Sequence, residues 1–128
     1  MEKIKKYFID SDVIIDYLRG VSEIRDFLVE LKKKGILVIS VVNIVEIYSG
    51  KSIKSVKKKI VIDSFLDEFK VVVLEKSLAK ISGRIRMEYQ TPFADAIIAA
   101  SAIESKAILV TRNVKHFSKI KGLKLLSP

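Results

Sequence analysis

Four oxygen-bearing side chains stand where apolar runs give way to helical segments. They are Asp10 after Tyr7-Phe8-Ile9, Glu46 shortly after the run 36–40, Asp95 just past Pro92, and Asn113 after the run 107–111. If those runs are parallel neighbouring strands, the four side chains converge at one end of one sheet, where open α/β folds bind their ligands. An all-oxygen set of this kind suits a hard divalent cation. Mg²⁺ prefers oxygen, keeps several waters and is commonly held by one or two carboxylates together with a substrate phosphate, and Mn²⁺ substitutes readily. The chain as a whole carries a net charge of +9, which draws it towards polyanions. An acidic pocket on a basic protein therefore points to a metal ion and a phosphate-bearing substrate, with RNA, DNA or an acidic protein tail as the candidate partners. The absence of cysteine and the single histidine, His116, exclude disulfides, thiolate metal sites and any mechanism needing two imidazoles.

Each residue also has a structural reading. Asp10 ends a strand and could cap the helix that follows, although Asp12 is the better-placed cap for a helix starting near Val13. Glu46 shares a helical face with Val42, Val45 and Ser49, an apolar setting in which a carboxylate needs a lysine or a cation as partner. Thr91 as N-cap and Pro92 as first helical residue put Asp95 in a first turn, where charge–dipole attraction alone is worth about 0.3–1 kcal/mol. The face through Asp95, Ala99 and Ala102 is built of small side chains, so Asp95 is expected to be packed rather than solvated. Asn113 either caps the short helix 114–117 or offers its carbonyl oxygen to a water on the ion. His116, alone, is expected to serve packing or the surface rather than ligation.

The elements that must position these groups follow from periodicity. Strand-like runs at 6–9, 36–40, 70–74, 107–111 and 123–126 alternate with helical patterns at 13–19, 22–34, 41–49, 52–69, 76–89 and 92–105, the signature of βα units. The expected fold is one α/β domain over 1–128, with a central parallel sheet of four to five strands flanked by helices on both faces. Gly20, Gly35 and Gly50 are placed to end helices. In the lysine-rich segment 51–59, Ile53, Val56 and Ile60 are expected to face inward while Lys51, Lys54 and Lys58 line the outside. A second basic stretch, Arg112, Lys115, Lys119, Lys121 and Lys124, follows directly on the proposed pocket, and Arg112 and Lys115 are the expected phosphate contacts. No signal-peptide-like segment and no apolar run near the ~20 residues of a membrane span is present, so a soluble cytoplasmic protein without a membrane partner is expected.

The stretches 8–20, 39–50, 93–102 and 109–117, including Asp10-Ser11-Asp12, Asn43-Ile44-Val45-Glu46, Phe93-Ala94-Asp95-Ala96 and Thr111-Arg112-Asn113, resemble the PIN-domain family, in particular the VapC-type toxins of toxin–antitoxin pairs. The four motifs occur in order across nearly the whole chain. The resemblance implies a Mg²⁺- or Mn²⁺-dependent endoribonuclease that hydrolyses RNA phosphodiester bonds. Asp10, Glu46 and Asp95 match the family's three principal acidic positions. Asp10 and Asp95 would be direct metal ligands, and Glu46 would bind a second ion or position the attacking water. Asn113 stands where many PIN nucleases carry Asp and would orient a water on the ion. A homodimer and inhibition by a small antitoxin protein are implied as well. No aromatic platform suggests base stacking of the RRM or OB kind. Two other readings remain: a HAD-like phosphatase with Asp10 as covalent nucleophile, and a non-catalytic basic RNA-binding module in which the acids are structural. The Asp10-Ser11-Asp12 triplet lacks the Gly-Thr that the phosphatase motif requires.

Overall fold

The computed structural model describes residues 4–50 and 55–128. Short runs rich in Val, Ile and Leu need cover on two faces, and the chain supplies it by following nearly every strand with helix. The order is β1 (Lys5–Ile9), α1 (Ser11–Leu18), α2 (Ser22–Lys34), β2 (Gly35–Ser40), α3 (Val41–Tyr48), α4 (Val56–Leu66), β3 (Lys70–Val72), α5 (Lys76–Tyr89), α6 (Phe93–Glu104), β4 (Ile108–Val110), α7 (Val114–Phe117) and β5 (Lys124–Leu126). The strands form one five-stranded sheet in the order β3-β2-β1-β4-β5, every pair parallel. The chain runs outward from β1 through β2 to β3, then returns to the other side of β1 with β4. Strand order thus reverses between β1 and β4, and the crevice of such a sheet opens beyond the carboxyl ends of those two strands. Phe8 pairs with Leu109 and Ile9 with Val110, so Asp10 and Thr111 emerge side by side at that reversal.

Alternation along β1 divides the core. Tyr7 and Ile9, with Leu37, Ile39 and Val110, face the layer that contains Val13, Ile14, Leu28, Ile47 and Leu66. Phe8, with Val38 and Leu109, faces the opposite layer of Leu78, Ile85, Phe117 and α6. Helix α6 is buried at every position from Ala96 to Ala102. Its alanines let it lie close to its neighbours, and this close approach brings Asp95 inward as the small-residue face predicts.

Three local expectations are corrected. Helix α1 begins at Ser11 because Asp10, not Asp12, is its cap. Gly35 does not end α2 in a left-handed conformation. Its φ is −175° and it opens β2, where a Cβ would lie 2.2 Å from the Lys5 carbonyl oxygen of the adjoining strand. Gly20, with φ +83°, and Gly50, whose N–H bonds the Ile47 carbonyl, do follow α1 and α3 as expected. In α4, Val56 and Ile60 are 76% and 64% exposed, so they do not face the core. Burial instead follows Ile62, Leu66 and Phe69, with Phe65 stacked on Tyr17 at 4.2 Å. Residues 62, 65, 66 and 69 keep the i, i+3, i+4, i+7 period with two aromatics among them, and that larger apolar ridge wins the inward position. Lys58 is exposed as expected, while Lys51, Ile53 and Lys54 lie outside the described residues.

The two glycines that contrast most make a test. Gly35→Ala forces backbone apart at the β1–β2 pair and is expected to lower unfolding stability by about 1–3 kcal/mol or more. Gly83→Ala, where an added Cβ meets nothing within 4 Å in mid-helix, is expected to raise it by up to about 1 kcal/mol. Urea denaturation of both variants checks this, and a neutral Gly35→Ala would contradict the strand contact.

Candidate active site

Asp10 leaves β1 in an extended conformation with its N–H still in the ladder, donating to the Val110 carbonyl at 2.9 Å. Its side chain then turns back on α1. Oδ1 accepts the Ser11 N–H at 2.9 Å, and Oδ2 accepts the buried Thr111 hydroxyl at 2.8 Å. Both carboxylate oxygens are therefore fixed, one by the helix that follows β1 and one by the residue that follows β4. Thr111 Oγ1 in turn accepts the Asn113 N–H at 3.0 Å.

A second run of bonds comes from β2. The Ser40 N–H donates to Asn43 Oδ1 at 2.8 Å, one half of a reciprocal cap at the start of α3. Asn43 Nδ2 donates to Ser11 Oγ at 2.8 Å, and Ser11 Oγ donates to Glu46 Oε1 at 2.8 Å. Ser11 thus joins Asp10 to Glu46: its backbone binds one carboxylate and its hydroxyl the other. Ser11, Asn43 and Thr111 were not singled out from sequence. The Ser40–Asn43 spacing is a recognisable cap pattern, but the contact of Ser11 with Glu46 crosses 35 positions and has no local signature.

The carboxylates differ in their surroundings. Burial pushes Asp10 from its ordinary 3.8 up to about 6, the charge of Asp12 and then that of Asp95 add to the rise, and the bonds from Thr111 and Ser11 oppose it. Asp12 is raised too, by burial first, against the Arg112 N–H that it accepts at 3.2 Å. Its Oδ1 is buried without a hydrogen-bond partner. Asp95 is raised by burial, opposed by His116, whose Nε2 lies 3.7 Å from Asp95 Oδ2. His116 is thus a neighbour of the acidic group, which its isolation in the sequence concealed.

The other expected members are placed differently. Glu46 is exposed, because α3 turns Asn43 and Ile47 inward and leaves Val45 and Glu46 towards solvent. Its partner is the Ser11 hydroxyl rather than a lysine. Asn113 precedes α7 but makes no side-chain cap bond, and it is exposed. Thr91 does not cap α6 either: the helix starts at Phe93 with Pro92 as cap residue, and the buried Thr91 hydroxyl has no partner. Arg112 pairs its guanidinium Nε with Asp16, so it braces the acidic end, and its half-exposed side chain keeps the Nη donors for other acceptors. Lys115 is exposed.

These residues fit a divalent cation in character. Asp10, Asp12 and Asp95 are all held above the ordinary carboxylate range by burial, and among the described residues no lysine or arginine pairs with Asp10 or Asp95. Such a concentration of partly buried negative charge is relieved by a proton or a cation. Among the described residues no three His, Cys, Asp or Glu side chains stand close enough to cage an ion by themselves. Mg²⁺ and Mn²⁺ do not require that, since one or two carboxylates with water and substrate oxygens suffice.

Comparison with known proteins assigns this fold to a family. The PIN-domain family model matches residues 7–123, and the chain belongs to the PIN-domain family. Ribonuclease VapC10 of Mycobacterium tuberculosis is 35% identical over 121 residues, covering 91% of this chain and 89% of that protein. Among solved structures, VapBC2 from Rickettsia felis bound to a promoter DNA fragment superposes with a TM-score of 0.85 at 24% identity, over 96% of this chain and 98% of that one. A toxin–antitoxin complex from Klebsiella pneumoniae does so with a TM-score of 0.79 at 26% identity, over 94% and 95%. Family membership sets aside the HAD-like phosphatase reading.

The raised Asp10 carboxyl has a consequence for stability without metal. The folded protein holds the Asp10 proton more tightly than the unfolded chain does, so between 3.8 and about 6 the native state binds more protons. Stability contributed by this group is present at the acid end, declines as pH rises through that window and levels off above it. Asp10→Asn removes the penalty of ionised burial while keeping an acceptor for the Ser11 N–H. It is expected to raise metal-free stability at pH 7.5 by up to about 3 kcal/mol and to flatten the decline. Thermal unfolding in EDTA from pH 4 to 8 measures both, and a destabilised Asp10→Asn at pH 7.5 would sink the assignment of a penalty for ionised burial.

Proposed function

We propose that this protein is a divalent-metal-dependent endoribonuclease that hydrolyses RNA phosphodiester bonds, acting as the toxin of a VapBC-type toxin–antitoxin pair. The observation that carries the reading is Asp10, a half-buried carboxylate held at both oxygens beside Asp12 and Asp95 on a chain of net charge +9. The 35% identity to Ribonuclease VapC10 supplies the reaction class. Likeness to VapBC2 and to the Klebsiella complex supports an antitoxin partner. A homodimer and a cytoplasmic location complete the proposal by family resemblance.

Asp10 and Asp95 would hold Mg²⁺ or Mn²⁺, with Glu46 supporting. A divalent ion there supplies Lewis-acid polarisation of the phosphate and a lowered pKa for its water. Thr111 and Ser11 keep the Asp10 carboxylate from rotating, and so hold its free lone pairs towards the crevice. Glu46, held by Ser11 Oγ and open to solvent, would position the attacking water or bind a second ion. Asn113, exposed and tied through its N–H to Thr111, offers a neutral amide to that water or to a substrate oxygen. Lys115 would seat a flanking phosphate, joined by the Nη groups of Arg112, which gives salt-dependent affinity without sequence specificity. The alternative of a non-catalytic binding module leaves the raised pKa of three neighbouring acids without a use.

Purified protein is expected to cleave single-stranded RNA with Mn²⁺ and not with EDTA. Asp10→Asn and Asp95→Asn should each lose activity by at least about 100-fold while keeping native circular dichroism. Thr111→Val, which removes the hydroxyl that orients Asp10, should cost about 10–100-fold, with Glu46→Gln also reduced. Undiminished cleavage by folded Asp10→Asn and Asp95→Asn would overturn the site, and failure of the unaltered protein to cleave any RNA would favour the binding module.

A further inference from the structure

The side of α6 away from Asp95 carries a feature that the acidic site does not use. Phe93, the first residue of α6, is 66% exposed, and Arg86 of α5 lies over its ring with the guanidinium carbon 5.8 Å from the ring centroid. Beside the pair is a cavity of about 590 Å³ lined by Gly83, Arg86, Met87, Gln90, Thr91 and Pro92. Gly83, Arg86, Met87 and Gln90 follow one another at i, i+3, i+4 and i+7, so a single face of α5 forms the wall. Gly83 sits in mid-helix, where glycine costs about 1 kcal/mol relative to alanine, and space stands open above it. Lys76, Lys80 and Arg84 of the same helix are exposed, and among the described residues none of them, nor Arg86, is in an ion pair.

We propose that Phe93 and Arg86 form a stacking platform for a base of single-stranded RNA flanking the cleavage site, with the adjoining cavity receiving that base and the cations of α5 taking its phosphates. This rests on the ribonuclease reading for the identity of the polymer. An exposed aromatic ring backed by a guanidinium is the chemistry that binds unstacked bases, since every base offers a π face to it. Arg86 covers one face of the ring, and the exposure leaves the other to a ligand. A helix is about 10 Å across, and residues two apart point to opposite sides of it, so Phe93 serves a neighbouring nucleotide while Asp95 faces the scissile one. Gln90, exposed and in a left-handed conformation at the end of α5, holds its amide at the cavity mouth, where it can meet a base edge. Charge favours this occupant over a second apolar surface, because Arg86 lines the cavity and the exposed Lys76 and Lys80 continue the same face of α5 at i−7 and i−3 from Gly83, with no ion pair to any of the three among the described residues.

The chain contains no tryptophan, so Phe93→Trp installs a single fluorescent reporter on the platform. Titration with a single-stranded RNA oligonucleotide in EDTA, which prevents metal-dependent cleavage, is expected to quench it in a saturable way. Phe93→Ala should weaken binding, read by anisotropy of labelled RNA, by about 5- to 150-fold. Gly83→Leu, which projects a side chain into the cavity, should weaken it as well with the helix intact. Unchanged affinity in Phe93→Ala, or an unquenched Phe93→Trp that still binds RNA, overturns the proposal. So does a lower molecular mass of Phe93→Ala by light scattering with RNA affinity intact, which would assign the ring to a second copy of the chain. Because these readouts do not involve cleavage, an unresponsive reporter on an active nuclease refutes only the platform, and quenching by a protein that cleaves nothing refutes only the nuclease.

Discussion

Two hydrogen bonds to one carboxylate hold the functional end of this molecule together. Asp10 accepts from Ser11 at the start of α1 and from Thr111 at the end of β4, and so ties the central strand to its neighbour where strand order reverses. The position is expensive for a charge. Burial and the nearby carboxylates raise its pKa to about 6, and the two bonds recover only part of that cost. A group kept ionised at neutral pH against such surroundings is poised for a cation, and the proposed chemistry follows from that tension.

The rest of the structure supplies the rigidity that the tension needs. β1 is covered on one face by Val13, Ile14 and Leu28 and on the other by α6, so the strand end that carries Asp10 cannot retreat into solvent. The alanines of α6 allow a close approach that a larger residue would prevent, and Asp95 is carried in with them. Gly35 performs the same service between β1 and β2, where backbone meets backbone. Ser11, bonded to Asn43 and Glu46, extends the fixed region from β1 to α3.

Much of this was legible in the sequence because it is local or periodic. The apolar runs indicate a parallel sheet of four to five strands, the short helix 114–117 coincides with α7, and the small-residue face of α6 indicates a packed Asp95, which the fold half-buries. Features that depend on partners far along the chain were hidden. Nothing near Glu46 tells that Ser11 is its partner, and its apolar sequence neighbours suggested burial that the turn of α3 does not impose. His116 carries no local sign of Asp95. The inward face of α4 was misplaced because the stripe through Val56 and Ile60 competes with a larger ridge that begins at Ile62. Asp10 is legible from its place at a strand end but not as the helix cap, a role the sequence favours for Asp12, since a one-residue shift of a helix start leaves almost no trace in composition.

The central claim is that Asp10 is held in readiness for a divalent ion. Calorimetric titration of Mn²⁺ into the metal-free protein at pH 7.5, beside Asp10→Asn with its fold verified by circular dichroism, tests it most directly. Saturable binding by the unaltered chain, abolished or weakened by at least about 100-fold in Asp10→Asn, is the predicted result. Equal affinity in the two proteins, or no binding by either, would contradict it.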